Sequence, residues 1–443
     1  MSMNDTPNAE RLHIGLFGRR NAGKSSLLNA LTGQSLAVTS PIAGTTTDTV
    51  SKAMELLPLG PILFIDTPGL DDAGQLGGLR VEKAKQALHK TDLALLVIDS
   101  TIGLTEEDRE IEALILSRKI PTIYVYNKCD LPADTQGSTI RQCHPNSLSP
   151  EHVSNGSTDC LTSANMPTES LTRHPSHKPG QAAVTISTKT MENIPLLKET
   201  IIALATPLLS EKNTPIVSDL VQAGDVVILV VPIDKAAPKG RLILPQQQTI
   251  RELLDTGVHT MIVRDTELAD TFLKLSVAPK LVITDSQAFK KVASIVPGHI
   301  LLTSFSILMA RHKGNFQEAL AGVRALDTIT NDSHILIAEG CTHHRQCGDI
   351  GTVKLPALIR RFCGCDPAFT FTSGTEFPTD LSDFDLVIHC GGCMLHDRQM
   401  QHRYKTAGQS GHLPITNYGL AISYMNGILE RSIELLKEKN VCV

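Results

Sequence analysis

The sequence lacks the features that indicate a membrane protein or a protein that binds nucleic acid. None of its apolar runs reaches the roughly 18 residues of a membrane-spanning helix, and its first residues carry no basic, apolar signal pattern. Aromatic residues make up only 4% of the chain and the net charge is -5, so a basic surface interleaved with aromatic side chains is not indicated. We therefore expect a cytoplasmic protein that binds no nucleic acid and no membrane.

The features that are present indicate several α/β domains. The 443 residues exceed what one hydrophobic core usually supports. Apolar stretches alternate with helical patterns, which predicts an α/β fold with mostly parallel sheets and, in the N-terminal domain, helices on both faces. The first predicted strands are HIGLFG, ILFID, LALLVID and TIYVYN. A polar stretch at residues 132–182 interrupts this alternation, and we expect it to be a flexible surface insertion.

A phosphate-binding loop follows the first predicted strand. Residues 18–25 read GRRNAGKS and precede a predicted helix, which is the context that such a loop requires. Backbone N–H groups can close around the phosphates, Lys24 can neutralise the β and γ oxygens, and the Ser25 hydroxyl can bind magnesium. The predicted nucleotide contacts in this loop are Gly18, Asn21, Ala22, Gly23, Lys24, Ser25 and Ser26.

Two further motifs are predicted to contact magnesium and the γ-phosphate. Asp66 and Gly69 belong to DTPG at the end of ILFID, where the carboxylate can hold magnesium through water and the Gly69 amide can contact the γ-phosphate. The stretch AGTTTD supplies a threonine that closes over magnesium and the γ-phosphate. We assign this role to Thr46, with Thr45 as the alternative.

The base is predicted to be guanine. In NKCD, which includes Asn127 and Lys128, Asp130 offers a carboxylate that can accept from both N–H donors of guanine, and adenine has no such pair. Ser187 in ISTKT is the predicted contributor from the last base-contacting loop. Four ordered motifs in one βα domain indicate a GTPase that uses GTP and Mg²⁺.

Two positions suggest how hydrolysis is assisted. Leu70 stands where many small GTPases carry a glutamine that orients the attacking water, so another group must assist. Asn21 matches the position that coordinates potassium in cation-activated GTPases such as the MnmE-like tRNA-modifying enzymes. We expect potassium-stimulated hydrolysis with Lys24, Asn21 and Gly69 as catalytic residues; the alternative is that Asn21 only stabilises the loop.

Six of the ten cysteines fall within one C-terminal stretch, residues 341–393: Cys341, Cys347, Cys363, Cys365, Cys390 and Cys393. In a reducing compartment this clustering favours metal or redox chemistry over structural disulfides. Cys341 and His343 follow one predicted strand and Cys390 and Cys393 follow another, so they are expected at the sheet edge where ligands bind. The spacing leaves open a redox-active pair, a zinc site and an iron–sulfur cluster.

These motifs together resemble the HydF family, the maturation GTPases of FeFe-hydrogenase. The resemblance covers essentially the whole chain. It rests on Asn21, on Cys-x-His followed after a long gap by His-Cys-x-x-Cys, and on the stretches PKGRLILPQ, TSFSILMARHKG, FTSG and TNYG. It implies a GTP-binding domain at residues 1–210, a dimerisation domain at 211–299 and a 4Fe–4S cluster domain at 300–443.

The resemblance also implies a role. Members of this family act as scaffold and carrier for a diiron precursor that is made with two radical-SAM maturases and delivered to the apo-hydrogenase. Carried over to this sequence, the cluster ligands are Cys341, Cys390 and Cys393, with His343 as the fourth. The expected assembly is a homodimer, or a tetramer of paired dimers. The alternatives are an RNA-linked GTPase with a zinc domain and a GTP-regulated oxidoreductase.

Overall fold

The computed structural model describes residues 7–33, 50–67, 84–132, 180–211, 214–233, 242–341, 349–374 and 376–438. The chain divides into two compact units, one formed by Leu12–Leu208 and the other by Met1–Arg11 with Leu209–Val443. The first unit contains one sheet and the second contains two. The predicted α/β class is confirmed.

The first unit is built around a six-stranded sheet. Its strands are β1 (Leu12–Phe17), β2 (Val50–Leu56), β3 (Gly60–Asp66), β4 (Leu93–Asp99), β5 (Thr122–Asn127) and β6 (Gln181–Thr185). Its helices include α1 (Lys24–Thr32), α2 (Glu106–Ser117) and α3 (Ile194–Glu211). The strand order is β2-β3-β1-β4-β5-β6, and every neighbouring pair is parallel except β2 with β3. Central strands β1 and β4 are buried along their whole length, as expected of apolar runs in a parallel sheet.

The four strands predicted for this unit correspond to β1, β3, β4 and β5. Strand β6 begins at Gln181, so regular structure starts inside the stretch predicted as an insertion at residues 132–182. The prediction was wrong at this end because QAAVT is a short edge strand with only one fully buried residue. Residues 133–179 of that stretch lie outside the described residues.

The second unit contains two four-stranded parallel sheets. The strands of the first are β7 (Val226–Val230), β8 (His259–Val263), β9 (Leu281–Thr284) and β10 (Leu301–Ser304), in the order β10-β9-β7-β8. The strands of the second are β11 (His334–Ala338), β12 (Ala368–Thr372), β13 (Leu386–His389) and β14 (Ile415–Asn417), in the order β12-β11-β13-β14. All neighbouring pairs in both sheets are parallel.

Helices connect and cover these sheets. They are α4 (Leu244–Asp255), α5 (Leu268–Lys274), α6 (Phe289–Ile295), α7 (Phe305–His312), α8 (Phe316–Gly322), α9 (Leu355–Cys363), α10 (Asp397–Gln409), α11 (Tyr418–Met425) and α12 (Leu429–Glu438). Short helical turns occur at Asn8–Glu10, Ser286–Ala288, Val323–Thr328 and Ile350–Lys354. No helix among the described residues is long and apolar enough to cross a bilayer.

The two sheets of the second unit share one continuous apolar core. The central sheet extends beyond residue 299, where the sequence analysis ends the central domain, because β10 pairs with β9. Helix α12, near the C-terminal end of the chain, packs back against β10. The segment predicted as the third domain therefore contributes a strand and a helix to the central sheet.

Candidate functional sites

The loop between β1 and α1 has the backbone conformation of a phosphate-binding loop. Gly18 and Gly23 have φ angles of 133° and 97°, and Asn21 also has a positive φ of 60°. A Cβ atom at Gly18 would collide with the carbonyl oxygen of Val97, so this position requires glycine. Lys24 Nζ donates to two carbonyl oxygens of the loop, at 2.8 and 2.7 Å. The lysine is thus held where a bound phosphate would meet its charge.

A half-buried carboxylate and a hydroxyl meet at the end of β3. Ser25 Oγ donates to Asp66 Oδ2 at 2.8 Å. Asp66 Oδ1 is buried and accepts no hydrogen bond from the residues that the structure describes. Burial raises the pKa of Asp66, and the Ser25 hydrogen bond and the Lys24 charge offset only part of this effect. This pair of oxygen ligands suits a hard cation such as Mg²⁺.

Hydrogen bonds from two side chains join the loops of the nucleotide site. Asn127 is fully buried at the end of β5, and its Nδ2 donates to the Ala22 carbonyl oxygen at 2.9 Å while its Oδ1 accepts from the Thr188 backbone N–H at 3.1 Å. Ser187 Oγ donates to Asp130 Oδ1 at 2.7 Å. Asn127 and Ser187 therefore join the loops before and after the polar stretch, and Ser187 orients the Asp130 carboxylate.

Asp99 at the end of β4 is a positioning residue that the sequence analysis missed. Its Oδ2 accepts from Lys128 Nζ at 2.6 Å and from Arg19 at 3.4 Å. Its Oδ1 accepts from the backbone N–H and the hydroxyl of Thr101 at 3.0 and 2.6 Å. Burial alone would raise the pKa of Asp99, but the hydrogen bonds from Lys128 and Thr101 outweigh burial and lower it.

The Asp99 carboxylate therefore binds both the phosphate loop, through Arg19, and the NKCD motif, through Lys128. Lys128 lies in the left-handed region, with a φ of 68°, so its ion pair with Asp99 helps to fix an unusual backbone conformation. A signal was available in the sequence, since LALLVID ends on a carboxylate at the same sheet edge as the other motifs.

Cys341 and the pair Cys390 and Cys393 follow the C-terminal ends of neighbouring parallel strands. Cys341 follows β11 and Cys390 follows β13, and these strands are in register with Ala338 opposite His389. Burial raises the pKa of all three thiols, and Coulomb interaction with neighbouring thiols raises it further for Cys341 and Cys393, to about 12 for Cys393. The three thiols therefore lie in one partly buried region.

Backbone N–H groups are directed at Cys390. Its Sγ accepts from the N–H of Gly340 at 3.0 Å and from that of Gly392 at 3.4 Å. A Cβ atom at Gly392, where φ is 66°, would lie 2.6 Å from Met400 Sδ, and one at Gly340 would lie 2.9 Å from Leu395 Cγ. Side chains at these positions would displace the donors, so glycine maintains the hydrogen bonds to the sulfur.

His389 uses both ring nitrogens for hydrogen bonds to protein groups. Its Nε2 lies 2.7 Å from Arg403 Nη1, and because arginine only donates, Nε2 is the acceptor. The proton is therefore on Nδ1, which donates to the Cys390 carbonyl oxygen at 2.8 Å. Burial and the nearby Arg403 lower the pKa of His389 to about 3, so the imidazole is neutral. His389 supports the backbone of the thiol site and is not free to bind a metal.

Within the ranges that the structure describes, no three His, Cys, Asp or Glu side chains are grouped as they would be around a single metal ion.

The structure does not bring all the predicted residues to these two sites. Cys363 and Cys365 interact with each other at the end of α9, and their thiols donate to the carbonyl oxygens of Ile359 and Ile329 at 3.0 and 3.5 Å. The predicted residues that lie outside the described residues are Thr45, Thr46, Gly69, Leu70, His343 and Cys347.

Three sequence models of known families match separate parts of the chain. The model of the 50S ribosome-binding GTPase matches residues 13–128. The models of the hydrogen maturase F dimerization and tetramerization domains match residues 216–314 and 317–435. Together these matches include the phosphate-binding loop and Asp66 of the first unit and both sheets of the second.

Individual relatives match over the GTPase region. The tRNA modification GTPase MnmE of Chromobacterium violaceum is 40% identical over 137 residues, which are 31% of this chain and 30% of that protein. The GTPase Era of Nostoc sp. is 40% identical over 125 residues, 28% of this chain and 38% of that protein. This chain therefore spans less than two fifths of the length of these relatives. The G domain of the T. maritima FeoB iron transporter is 22% identical, covering 44% of this chain and 99% of that chain, with a TM-score of 0.29 that adds nothing to the fold assignment.

The fold and the nucleotide site define a P-loop GTPase that is followed by two further α/β domains. Those two domains match the models of the hydrogen maturase F dimerization and tetramerization domains, which together cover most of the chain from residue 216 to residue 435. The chain belongs to the HydF family of hydrogenase maturation GTPases.

Proposed function

We propose that this protein hydrolyses GTP and serves as scaffold and carrier in the assembly of the FeFe-hydrogenase active site. It receives the diiron precursor, made with two radical-SAM maturases, and delivers it to the apo-hydrogenase. The observation that carries the proposal is the combination of the hydrogen maturase F domains with three interacting thiols after β11 and β13. The protein acts in the cytoplasm as a homodimer or as a tetramer of paired dimers.

The proposed division of labour follows the three segments of the chain. Residues 1–210 bind GTP, residues 211–299 dimerise, and residues 300–443 hold a 4Fe–4S cluster. The structure adds that β10 and α12, from the last segment, pack into the central sheet. We therefore propose that the cluster segment and the dimerisation segment work as one folded unit.

In the nucleotide site, Lys24, Asn21 and Gly69 are the proposed catalytic residues. Mg²⁺ is held by Ser25, Thr46 and Asp66, and K⁺ is bound at Asn21. The buried Asp66 Oδ1 that accepts no hydrogen bond within the described residues supports the magnesium assignment. Asn21 is exposed in a turn where its φ is 60°, which leaves its side chain accessible to a cation.

In the cysteine site, the proposed cluster ligands are Cys341, Cys390, Cys393 and His343. The residues fit this group, since three thiols interact in one region and Cys390 Sγ accepts two backbone N–H groups, which stabilise the charge of a bound cluster. A bound 4Fe–4S cluster would supply an iron position whose fourth ligand can exchange. This chain's own part is to hold the thiols and to direct N–H donors at them.

The first test is anaerobic reconstitution with iron and sulfide, followed by EPR of the dithionite-reduced protein. We expect a reduced 4Fe–4S signal in the wild type that is lost in Cys390→Ser. The matched control is Cys129→Ser, in the GTPase unit, which should keep the signal. One tightly bound zinc ion without any cluster signal would reject the cluster, and transfer to apo-hydrogenase would then have no basis.

A further inference from the structure

Arg403, on α10, is a buried guanidinium next to the thiol site. The residue is 3% exposed. It donates to His389 Nε2 and to the Gly374 carbonyl oxygen, each at 2.7 Å, and to the Glu376 carbonyl oxygen at 3.3 Å. Its guanidinium carbon lies 4.9 Å from the centroid of the Phe377 ring. All of these partner groups are neutral, because His389 is uncharged and Glu376 contributes only its backbone.

A buried cation among neutral partners requires a compensating negative charge nearby. Burial lowers the pKa of Arg403 only to about 10, so the guanidinium is charged at neutral pH. Buried charges in proteins are normally paired, since leaving one unpaired is costly. The hydrogen-bond partners of Arg403 described above supply no such charge. The hydrogen bonds from Arg403 through His389 end at the backbone of Cys390, whose side chain is one of the proposed cluster ligands.

Hydrogen bonds also connect the two residues. Arg403 donates to His389 Nε2, and His389 Nδ1 donates to the Cys390 carbonyl oxygen at 2.8 Å. The His389 imidazole therefore links the Arg403 guanidinium to the backbone of Cys390. A change in charge at Cys390 therefore alters its electrostatic interaction with the Arg403 guanidinium, and this interaction is strong because the region between them is buried and of low polarity.

We propose that Arg403 is the counter-charge of the cluster bound at Cys390 and that it raises the reduction potential of this cluster. The inference rests on the proposed function, since it needs the cluster. A thiolate-ligated cluster becomes more negative when it is reduced, and net charge and hydrogen bonding are among the factors that set its potential. A fixed positive charge therefore stabilises the reduced form. Arg403 acts as a positioning residue through its hydrogen bond to His389.

The test uses the full-length chain, reconstituted anaerobically, as wild type, Arg403→Gln and Arg403→Lys. The matched control is Arg311→Gln, which removes another buried arginine, on α7, that pairs with Asp219. Iron and sulfide content confirm loading, circular dichroism confirms folding, and an EPR-monitored redox titration measures the ratio of reduced to oxidised cluster. This readout reports the potential and does not depend on GTP hydrolysis or on hydrogenase activity.

We expect the ratio at a fixed solution potential to fall about tenfold in Arg403→Gln, equal to about 59 mV for a one-electron couple. It should stay within about twofold of wild type in Arg403→Lys, which keeps the charge, and in Arg311→Gln. A loaded Arg403→Gln with the wild-type ratio would overturn the inference and leave the cluster assignment intact.

If Arg403→Gln does not fold or does not take up the cluster, Arg403→Lys tests the inference by itself. A tenfold fall in loaded Arg403→Lys would overturn the inference, because the charge would have been kept while the effect was lost. A wild-type ratio in that variant would support it. A wild-type protein that takes up no cluster would reject the proposed function itself, a result that differs from each of the others.

Discussion

Replacing Ser187 with alanine tests how the last base-contacting loop contributes to guanine selectivity. The Ser187 side chain is fully buried, and its hydroxyl donates to Asp130 Oδ1 at 2.7 Å. The Ser187 hydroxyl oxygen itself accepts from the backbone N–H groups of Lys189 and Thr190 at 3.2 and 3.1 Å. The alanine variant would release the Asp130 carboxylate from its fixed rotamer and would leave two N–H groups without their acceptor.

The size of the effect follows from the charge of the acceptor. A hydrogen bond to a charged group contributes about 1.5–3 kcal/mol, and each 1.4 kcal/mol corresponds to about a tenfold change in Kd. We therefore expect the affinity for GDP to fall about 10- to 100-fold. Inosine diphosphate lacks the 2-amino group of guanine and can make only one of the two bonds to Asp130. It should lose less affinity than GDP, so the preference for GDP over inosine diphosphate should shrink.

Both affinities can be measured by competition against a fluorescent GDP analogue. The control is Ser432→Ala, which removes another fully buried hydroxyl, one that donates to the Leu429 carbonyl oxygen at 2.7 Å in α12. This control should leave both affinities unchanged. Equal losses for the two nucleotides in Ser187→Ala, or no loss for either, would refute the argument that Ser187 acts by orienting Asp130.

Three further predictions concern the nucleotide site. Asp99→Asn should weaken GTP binding about tenfold at pH 7, because Lys128 loses a charged acceptor. Since the pKa of Asp99 is lowered, the difference in GTP affinity between the variant and wild type should vanish only at a pH below the ordinary pKa range of aspartate. An unchanged GTP affinity of the variant at pH 7 would contradict this prediction. Hydrolysis should be faster in potassium than in sodium, and Asn21→Ala should abolish the difference; equal wild-type rates in the two salts would reject the potassium site. Burial raises the pKa of Asp66, so protonation of this carboxylate should weaken Mg²⁺ binding already at a pH above its usual pKa of 3.8. Mg²⁺ titration of the GTP-bound protein at a series of pH values measures this loss. If the loss of Mg²⁺ affinity had its midpoint at or below pH 3.8, the environment assigned to Asp66 would be contradicted.

The strands that carry motifs could be predicted from the sequence, whereas the edge strands β2 and β12 could not. HIGLFG, ILFID and TIYVYN are apolar runs that end at glycine or polar residues, a pattern typical of central parallel strands. Strands β2 and β12 lie at the edges of their sheets and are only partly apolar, so their pairing depends on neighbours that a single sequence does not reveal. Strand β10 was assigned to the third segment because a boundary between two sheets of the same topology leaves no mark in composition.

The site residues that were missed act through contacts between distant parts of the chain. Asp99 binds Lys128, 29 residues away, and Arg403 binds His389, 14 residues away and on another element. Neither residue belongs to a motif, so motif spacing could not identify it; for Asp99 the only signal was its place at the end of a predicted strand. Ser187 illustrates the intermediate case. Its loop could be predicted from ISTKT, but its bond to Asp130 depends on how the chain returns after residues 133–179.

A switch based on GTP requires that GTP and GDP favour two conformations with different affinities for a partner or for the precursor. The guanine contacts through Asp130 and Ser187 are common to both nucleotides, so they set how tightly either is held and cannot by themselves distinguish the two states. Discrimination must come from groups near the γ-phosphate, which are Lys24 and the magnesium ligands Ser25 and Asp66 in the proposed site. The groups that contact guanine therefore set whether a nucleotide is bound, and the groups near the γ-phosphate set whether GTP is distinguished from GDP. Variants at Ser187 separate the loss of nucleotide from the loss of switching, because they weaken GTP and GDP alike while leaving the γ-phosphate groups in position.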